Sequence, residues 1–311
     1  MRSVRGNEAE MGRGLKAKTT ADRAAQAALL AMLIELSSTP KPGNVDRGHD
    51  FEEIKFHHFL ISAAASYPAF RDAAAGSEPT GTLIRRAVSS WRGWGLSQNT
   101  HFGTIALLIP LAAAAGRGGD LKADLARVLE ETTTEDAVEF YAAFDLAGAR
   151  VAEVEDLSLR DPDAAERIRS EGKTLLDLML LSRGHDLVAR EWSTGFERSF
   201  ALAGDLGRRV SDLGLNDGVV MTYLQALAEV PDSLVASKFG MKRAEEASSR
   251  ARSILGHSVE ETLRRAQELD REFVEEDINP GSTADIIGAA LFIALIEGTI
   301  LKGTILRGEE R

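Results

Sequence analysis

Residues 37–50 read SSTPKPGNVDRGHD, and they gather Lys41, Asn44, Asp46, Arg47, His49 and Asp50 in one short stretch. Carboxylates such as Asp46 and Asp50 suit a hard cation such as Mg²⁺, which takes oxygen ligands. Lys41 and Arg47 suit phosphate, through charge-assisted hydrogen bonds. Two of the chain's eight prolines, Pro40 and Pro42, fix φ and press Thr39 and Lys41 toward extended backbone. Gly43 then permits a tight turn or a close approach of backbone to a ligand. The stretch links two helical patterns, where connections usually run two to eight residues. Its length, stiffness and mixed charge fit a binding loop. The competing reading is a solvated interhelical loop with a surface ion pair.

Three further polar groups each stand just before an apolar run. Asn99, Thr100 and His101 precede TIALLIPLAAAA. Asn99 or Thr100 could cap that helix, with His101 in its first turn, and helix N-termini suit phosphate. Asp232 or Ser233 could cap a short helix that carries Lys238. Ser282 or Thr283 could cap the run ADIIGAALFIALIEG, with Asp285 in its first turn, where the helix dipole favours an acid. In an otherwise buried helix, Asp285 points to a polar pocket, with a cation or a partner such as Lys41 offsetting its desolvation. Capping alone would explain each group taken singly. Glu35, one turn before the loop, is a further candidate base or Mg²⁺ ligand. The adjacent His57 and His58 point about 100° apart on a helix and cannot form an i,i+4 metal pair.

The elements that must position these groups are helices. Period-3.6 patterning marks 20–37, 52–75, 80–95, 99–115, 119–131, 134–155, 163–182, 185–192, 195–213, 216–229, 232–238, 240–254, 258–277 and 282–304. Thr19 or Thr20 would cap the first. Bends are expected at Pro68 and Pro110. No strand, repeat or low-complexity linker emerges. The expected fold is a single all-α domain over 19–311, centred on the apolar helices 20–37, 99–115 and 282–300, preceded by a flexible arm at 1–18.

Composition narrows the function. The chain has 311 residues, a formal net charge of −11 and no cysteine. The acidity argues against nonspecific binding to nucleic acid or anionic membranes, but leaves room for a nucleotide held by a few local cations. Without cysteine there is no disulfide, thiolate metal site or thiol nucleophile. The apolar runs fall short of the roughly 20 residues that span a bilayer, and the N-terminal residues carry no signal-peptide pattern. A cytoplasmic protein is expected, with a homodimer as one arrangement open to it. There is no P-loop, GxGxxG or zinc pattern.

In this order, the motifs resemble the triphosphoribosyl-dephospho-CoA synthase family. TPKPGNVDR at 39–47 is similar to that family's TPKPGLVDR loop. GHDF at 48–51, NTHFG at 99–103, PDS at 231–233 and PGSTADIIG at 280–288 follow like later family blocks. Phe102 replaces an expected lysine, the spacer before His49 is short, and PGGSAD has become PGSTAD. These departures look like a divergent, archaeal-type branch. The resemblance implies an all-α transferase that moves the triphosphoribosyl unit of ATP to the 2′-hydroxyl of 3′-dephospho-CoA and releases adenine.

Such chemistry builds oxocarbenium character at C1′ and asks for carboxylates and a base. Asp46, Asp50, Asp285 and Glu35 are the catalytic candidates. Lys41, Asn44, Arg47, His49, Asn99, Thr100, His101, Ser282 and Lys238 are the substrate and phosphate candidates, with His49 and His101 as donors to base or phosphate. Asp46, Asp50 and Asp232 are the Mg²⁺ candidates. Two alternatives remain open at this point. One is a relative that transfers a ribosyl phosphate unit from ATP to another acceptor in C1-carrier coenzyme biosynthesis. The other is a non-enzymatic helical binding protein.

Overall fold

A computed structural model describes residues 2–48, 50, 54–148 and 164–300, with side chains from Thr20 onward. Among these residues there are fifteen α-helices and no strand. The first five are α1 (Arg2–Ser37), α2 (Phe56–Ala75), α3 (Thr80–Gly93), α4 (Phe102–Arg117) and α5 (Leu121–Glu130). Next come α6 (Thr134–Ala147), α7 (Ala164–Glu171), α8 (Leu175–Ser182), α9 (Leu187–Thr194) and α10 (Glu197–Leu213). The last are α11 (Leu215–Glu229), α12 (Ser233–Phe239), α13 (Met241–Ile254), α14 (Val259–Glu275) and α15 (Gly281–Glu297).

The centre follows from the sequence. In α4, every residue from Thr104 to Ala112 is buried, and in α15 every residue from Ile286 to Leu295. Helices apolar all round must be covered all round. Accordingly α1, α4 and α15 pack on one another, with α2 against α1 and α4, and α10 and α11 against α15. One continuous apolar core joins them. No single described helix is long and apolar enough to cross a membrane.

Several boundaries differ from the sequence expectations. Helix α1 continues back to Arg2, through Thr19 and Thr20, so neither caps it, and the segment expected as an arm is helical in backbone. The span 163–182 is two helices, because Gly172 turns at φ 64° and Thr174 restarts the chain in a capping box with Asp177. Helix α6 stops at Ala147 on a left-handed Gly148 rather than reaching 155, and residues 149–163 lie outside the described residues. Helix α15 ends at Glu297 on Gly298. Pro68 and Pro110 lie inside α2 and α4.

The N-terminal ends of α4, α9, α12 and α15 are tied together by contacts and hydrogen bonds, described below. The opposite end of α4 is some 20 Å away, at about 1.5 Å per residue. There a separate groove of about 430 Å³ runs between 73–83 and 113–136.

Candidate active site

The loop that opened the question is mostly inside the protein. Residues 41–46 are all buried. Lys41 is fully buried and pairs with Glu35, and its Nζ donates to Asn44 Oδ1 at 2.8 Å. It lies 6.0 Å from the Tyr223 ring centroid. Burial pushes the Glu35 carboxyl above its usual range, and Lys41 opposes that shift.

Main-chain groups of the loop are held from both sides. Asp46 accepts from the backbone N–H of Lys41 at 3.1 Å and of Gly48 at 2.6 Å, closing the turn on itself. Gly43 N–H donates to Asp270 at 2.8 Å, and Tyr223 OH donates to Pro42 O at 3.0 Å. The Asn216 amide accepts from Thr39 N–H at 3.1 Å and donates to Thr39 O at 2.9 Å. Asn44 donates to Asn279 at 3.1 Å. Gly43, at φ 73°, lies so close to Ile278 O and Phe273 that a β-carbon there would overlap them. These bonds make a rigid floor.

Helix N-termini form the opposite side. Asn99 Oδ1 accepts from Phe102 N–H at 3.1 Å, satisfying the first N–H of α4 from two residues ahead of its N-cap. His101 holds the N-cap position of α4 rather than a place in its first turn, and its side chain makes no cap bond. Its ring is buried and meets Phe59 edge-on at 4.8 Å. Its Nδ1 lies 2.6 Å from Ser62 Oγ. Burial, with Lys41 nearby, lowers its pKa to about 3, so the imidazole is neutral. His101 Nε2 and Thr100 Oγ1 are both buried without a protein hydrogen-bond partner.

Asp285, on the first turns of α15, crosses the start of α4. Thr104 donates to its Oδ1 at 2.5 Å. A β-carbon on Gly103 would fall 2.7 Å from Asp285 Cγ, so only glycine lets the carboxylate approach this closely. Burial lifts the Asp285 pKa to about 7; Thr104 opposes the rise, and the charges of Glu35, Asp232 and Asp186 add to it. Lys41 is thus the partner of Glu35 and not of Asp285, because Glu35 lies one turn before the loop and is reached first.

Asp232 ties two helices together. Its Oδ1 accepts from Leu234 and Val235 N–H at 2.9 and 3.1 Å. Its Oδ2 accepts from Thr283 N–H and Oγ1 at 2.7 and 2.8 Å. One carboxylate therefore caps both α12 and α15, and Thr283 lies within α15 as a donor to Asp232 instead of capping its own helix. Ser282 also sits inside the first turn, where it accepts from Ser233 Oγ at 2.9 Å. Ser233 Oγ accepts in turn from Leu187 N–H at 3.0 Å, which brings in α9. Asp186 caps α9, and burial raises its carboxyl as well.

The structure thus brings Glu35 and Lys41 within electrostatic reach of Asp285 and His101, with Asn44 and Asp46 bonded to Lys41 and Asn99, Thr100 and Ser282 at the adjoining helix starts. Arg47 and Asp50 lie at its exposed edge. Arg47 donates to Asn216 at 3.2 Å, and Asp50 accepts from Phe56 N–H at 2.5 Å. Lys238 is exposed and pairs with Asp277. His49 lies outside the described residues. Phe102, where the motif comparison expects lysine, packs on Phe140 and Phe144 with ring centroids 5.3 and 5.6 Å away, so an aromatic pocket absorbs that departure. Asp186, Tyr223, Asn216 and Asp270 were missed. Asp186 had a signal, since it precedes LVA as an N-cap acid; the others act across the fold and had none.

Comparison with known proteins gives a consistent result. The sequence pattern of the ATP:dephospho-CoA triphosphoribosyl transferase family matches residues 21–303. A protein of Pseudomonas fluorescens, assigned by inference as a 2-(5''-triphosphoribosyl)-3'-dephosphocoenzyme-A synthase, is 25% identical over 93% of this chain and 97% of its own. A similarly assigned protein of Stutzerimonas stutzeri is 27% identical over 89% of this chain and 93% of its own. A crystal structure from Archaeoglobus fulgidus, described as a candidate triphosphoribosyl-dephospho-CoA synthase, superposes with a TM-score of 0.64. It is 29% identical and covers 77% of this chain and 99% of its own.

Proposed function

The chain belongs to the ATP:dephospho-CoA triphosphoribosyl transferase family, and from that premise we propose that it transfers the triphosphoribosyl unit of ATP to 3′-dephospho-CoA with release of adenine. In that reaction the C1′–N9 bond of ATP breaks and a bond from C1′ to the acceptor's 2′-oxygen forms. The proton of the 2′-hydroxyl leaves, and the departing adenine gains one.

The observation that carries the reading is the position of Asp285. It is the carboxylate whose pKa lies near 7, at the junction of two helix N-termini where Thr104 of α4 donates to it, and Thr100 and His101 just before α4 carry buried atoms without a protein partner. A group titrating near the working pH can take a proton from a hydroxyl and, once ionised, face the positive charge developing at C1′. Arg47 at the rim supplies cationic contact for the triphosphate. Lys41, fully buried and paired with Glu35, holds the loop beneath the site rather than contacting phosphate.

Mg²⁺ is part of the proposal. Among the described residues no group of three or more His, Asp or Glu side chains is gathered closely enough to cage a metal. Mg²⁺ on a nucleotide needs only one or two protein carboxylates, with phosphates and water completing the shell. Asp50 at the exposed rim would supply one, whereas Asp46 is buried with its two oxygens held by the N–H groups of Lys41 and Gly48 and is a poor ligand. The ion would screen the triphosphate, which must be held without being cleaved. Asp232 is a poor ligand because four protein donors already occupy its oxygens.

The test is to incubate the protein with ATP, Mg²⁺ and dephospho-CoA and follow adenine by chromatography. Free adenine together with a triphosphoribosylated acceptor is expected. ADP or AMP without adenine would overturn the proposed chemistry. Adenine released only with another acceptor would assign the chain to the branch that serves a different coenzyme.

A further inference from the structure

We propose that Ser62 on α2 fixes His101 in the tautomer that carries its proton on Nδ1, so that Nε2 accepts a hydrogen bond from an uncharged O–H or N–H group of bound ATP. The reasoning is a count of hydrogens. Ser62 Oγ has two neighbours, Phe59 O at 3.1 Å and His101 Nδ1 at 2.6 Å, and one hydrogen to give. If the hydroxyl donates to Phe59 O, the common back-bond of a helical serine, it must accept from Nδ1–H, and both contacts become hydrogen bonds. If the hydroxyl donates to Nδ1 instead, the Phe59 contact carries no hydrogen and a buried Nε2–H is left unpaired. Buried groups take the arrangement that satisfies more of them.

The first arrangement leaves one lone pair, on Nε2, buried without a protein partner at the head of α4. A neutral acceptor repels phosphate oxygens and welcomes a donor. This reverses the role that sequence alone gives His101, which was to donate to base or phosphate. Ser62 itself is fully buried, and Ser66 donates to its carbonyl at 2.7 Å, so α2 holds the serine in place. Ser62 is a positioning residue, because it acts through the imidazole. The partner donor is either a ribose hydroxyl or the exocyclic amine of adenine, and the two can be told apart.

The proposal rests on the transferase reading only for the identity of the ligand. The tautomer is measured on the free protein by long-range ¹H–¹⁵N correlation of the histidine rings, assigned with His101→Gln. A proton on Nδ1 is expected, and a proton on Nε2 overturns the proposal whether or not adenine is released. In Ser62→Ala the ring should lose its single tautomer, and an unchanged ring spectrum would also overturn it. For the ligand, calorimetry would compare ATP with its 2′-deoxy and 3′-deoxy forms and with the analogue lacking the 6-amino group. One of these should bind the wild type about ten- to a hundredfold more weakly than ATP, and His101→Gln should lose that discrimination. Equal binding of all analogues, or discrimination that survives in His101→Gln, overturns the acceptor role.

Discussion

Replacing Lys41 by methionine should be among the most damaging single changes in the chain, although the side chain touches no solvent. Its side chain is 0% exposed and that of Glu35 is 9% exposed, so the pair has little water to fall back on. Methionine fills most of the space, which keeps the cavity contribution small. What remains is a buried carboxylate without its cation, and deleting one partner of such a pair costs about 3–5 kcal/mol. Against the usual domain stability of about 5–15 kcal/mol, the variant should still fold, with a much lower urea midpoint.

The effect has a pH signature. Glu35 already binds its proton more tightly in the folded state than when unfolded, because burial outweighs Lys41. Stability contributed by such a group falls as pH rises from the unfolded pKa through the folded one. Removing Lys41 raises the folded value further and widens that window. The loss should therefore be smaller at about pH 5 than at about pH 8. Adding Glu35→Gln should restore more than half of it, since no buried charge is then left. A loss below about 1 kcal/mol, or a double variant no better than the single one, would refute the account of the loop's floor.

Other changes separate chemistry from support. Asp285→Asn should lower adenine release by about a hundredfold or more, while urea stability at neutral pH holds or rises, because Glu35, Asp232 and Asp186 no longer face a further charge. Its stability should also decline less than that of the wild type between about pH 4 and pH 7, as the raised pKa of Asp285 is the source of that decline. Gly103→Ala drives a β-carbon into the Asp285 carboxylate, and should cost about 1–3 kcal/mol by overpacking and depress activity as well; an unaffected enzyme would show that the two helices do not meet this closely. Asp232→Asn exchanges one acceptor oxygen for an amide facing its donors, with a loss of about 2 kcal/mol or more in urea unfolding. The Mg²⁺ concentration for half-maximal activity should stay the same in that variant, and a large rise would make Asp232 a metal ligand after all.

The parts of this molecule legible in the sequence are those decided locally. The apolar runs of α4 and α15 could only be central, and the amide at 99, the acid at 232 and the hydroxyls at 282–283 marked helix starts that the fold draws together. The proline-rich loop read as constrained, and it is. Sequence could not show that the loop folds inward, so Lys41 emerged as a phosphate contact when it is the buried partner of Glu35. That pairing depends on Tyr223, Asp270, Asn216 and Asn279, which come from elements far along the chain. Asp232 and Thr283 illustrate the same limit, since each was a plausible cap for its own helix. In the fold one carboxylate serves both helices, a geometry that exists only once α12 and α15 meet.

On this reading ATP binds where the 38–48 loop faces the starts of α4 and α15. A crystal structure of the protein with ATP, Mg²⁺ and a 2′-deoxy form of dephospho-CoA, which cannot react, tests it directly. The ribose C1′ should lie beside Asp285, with His101 Nε2 in hydrogen-bond contact with the nucleotide. Nucleotide found instead in the groove at the far end of α4, between Gly76 and Asp136, would contradict the claim.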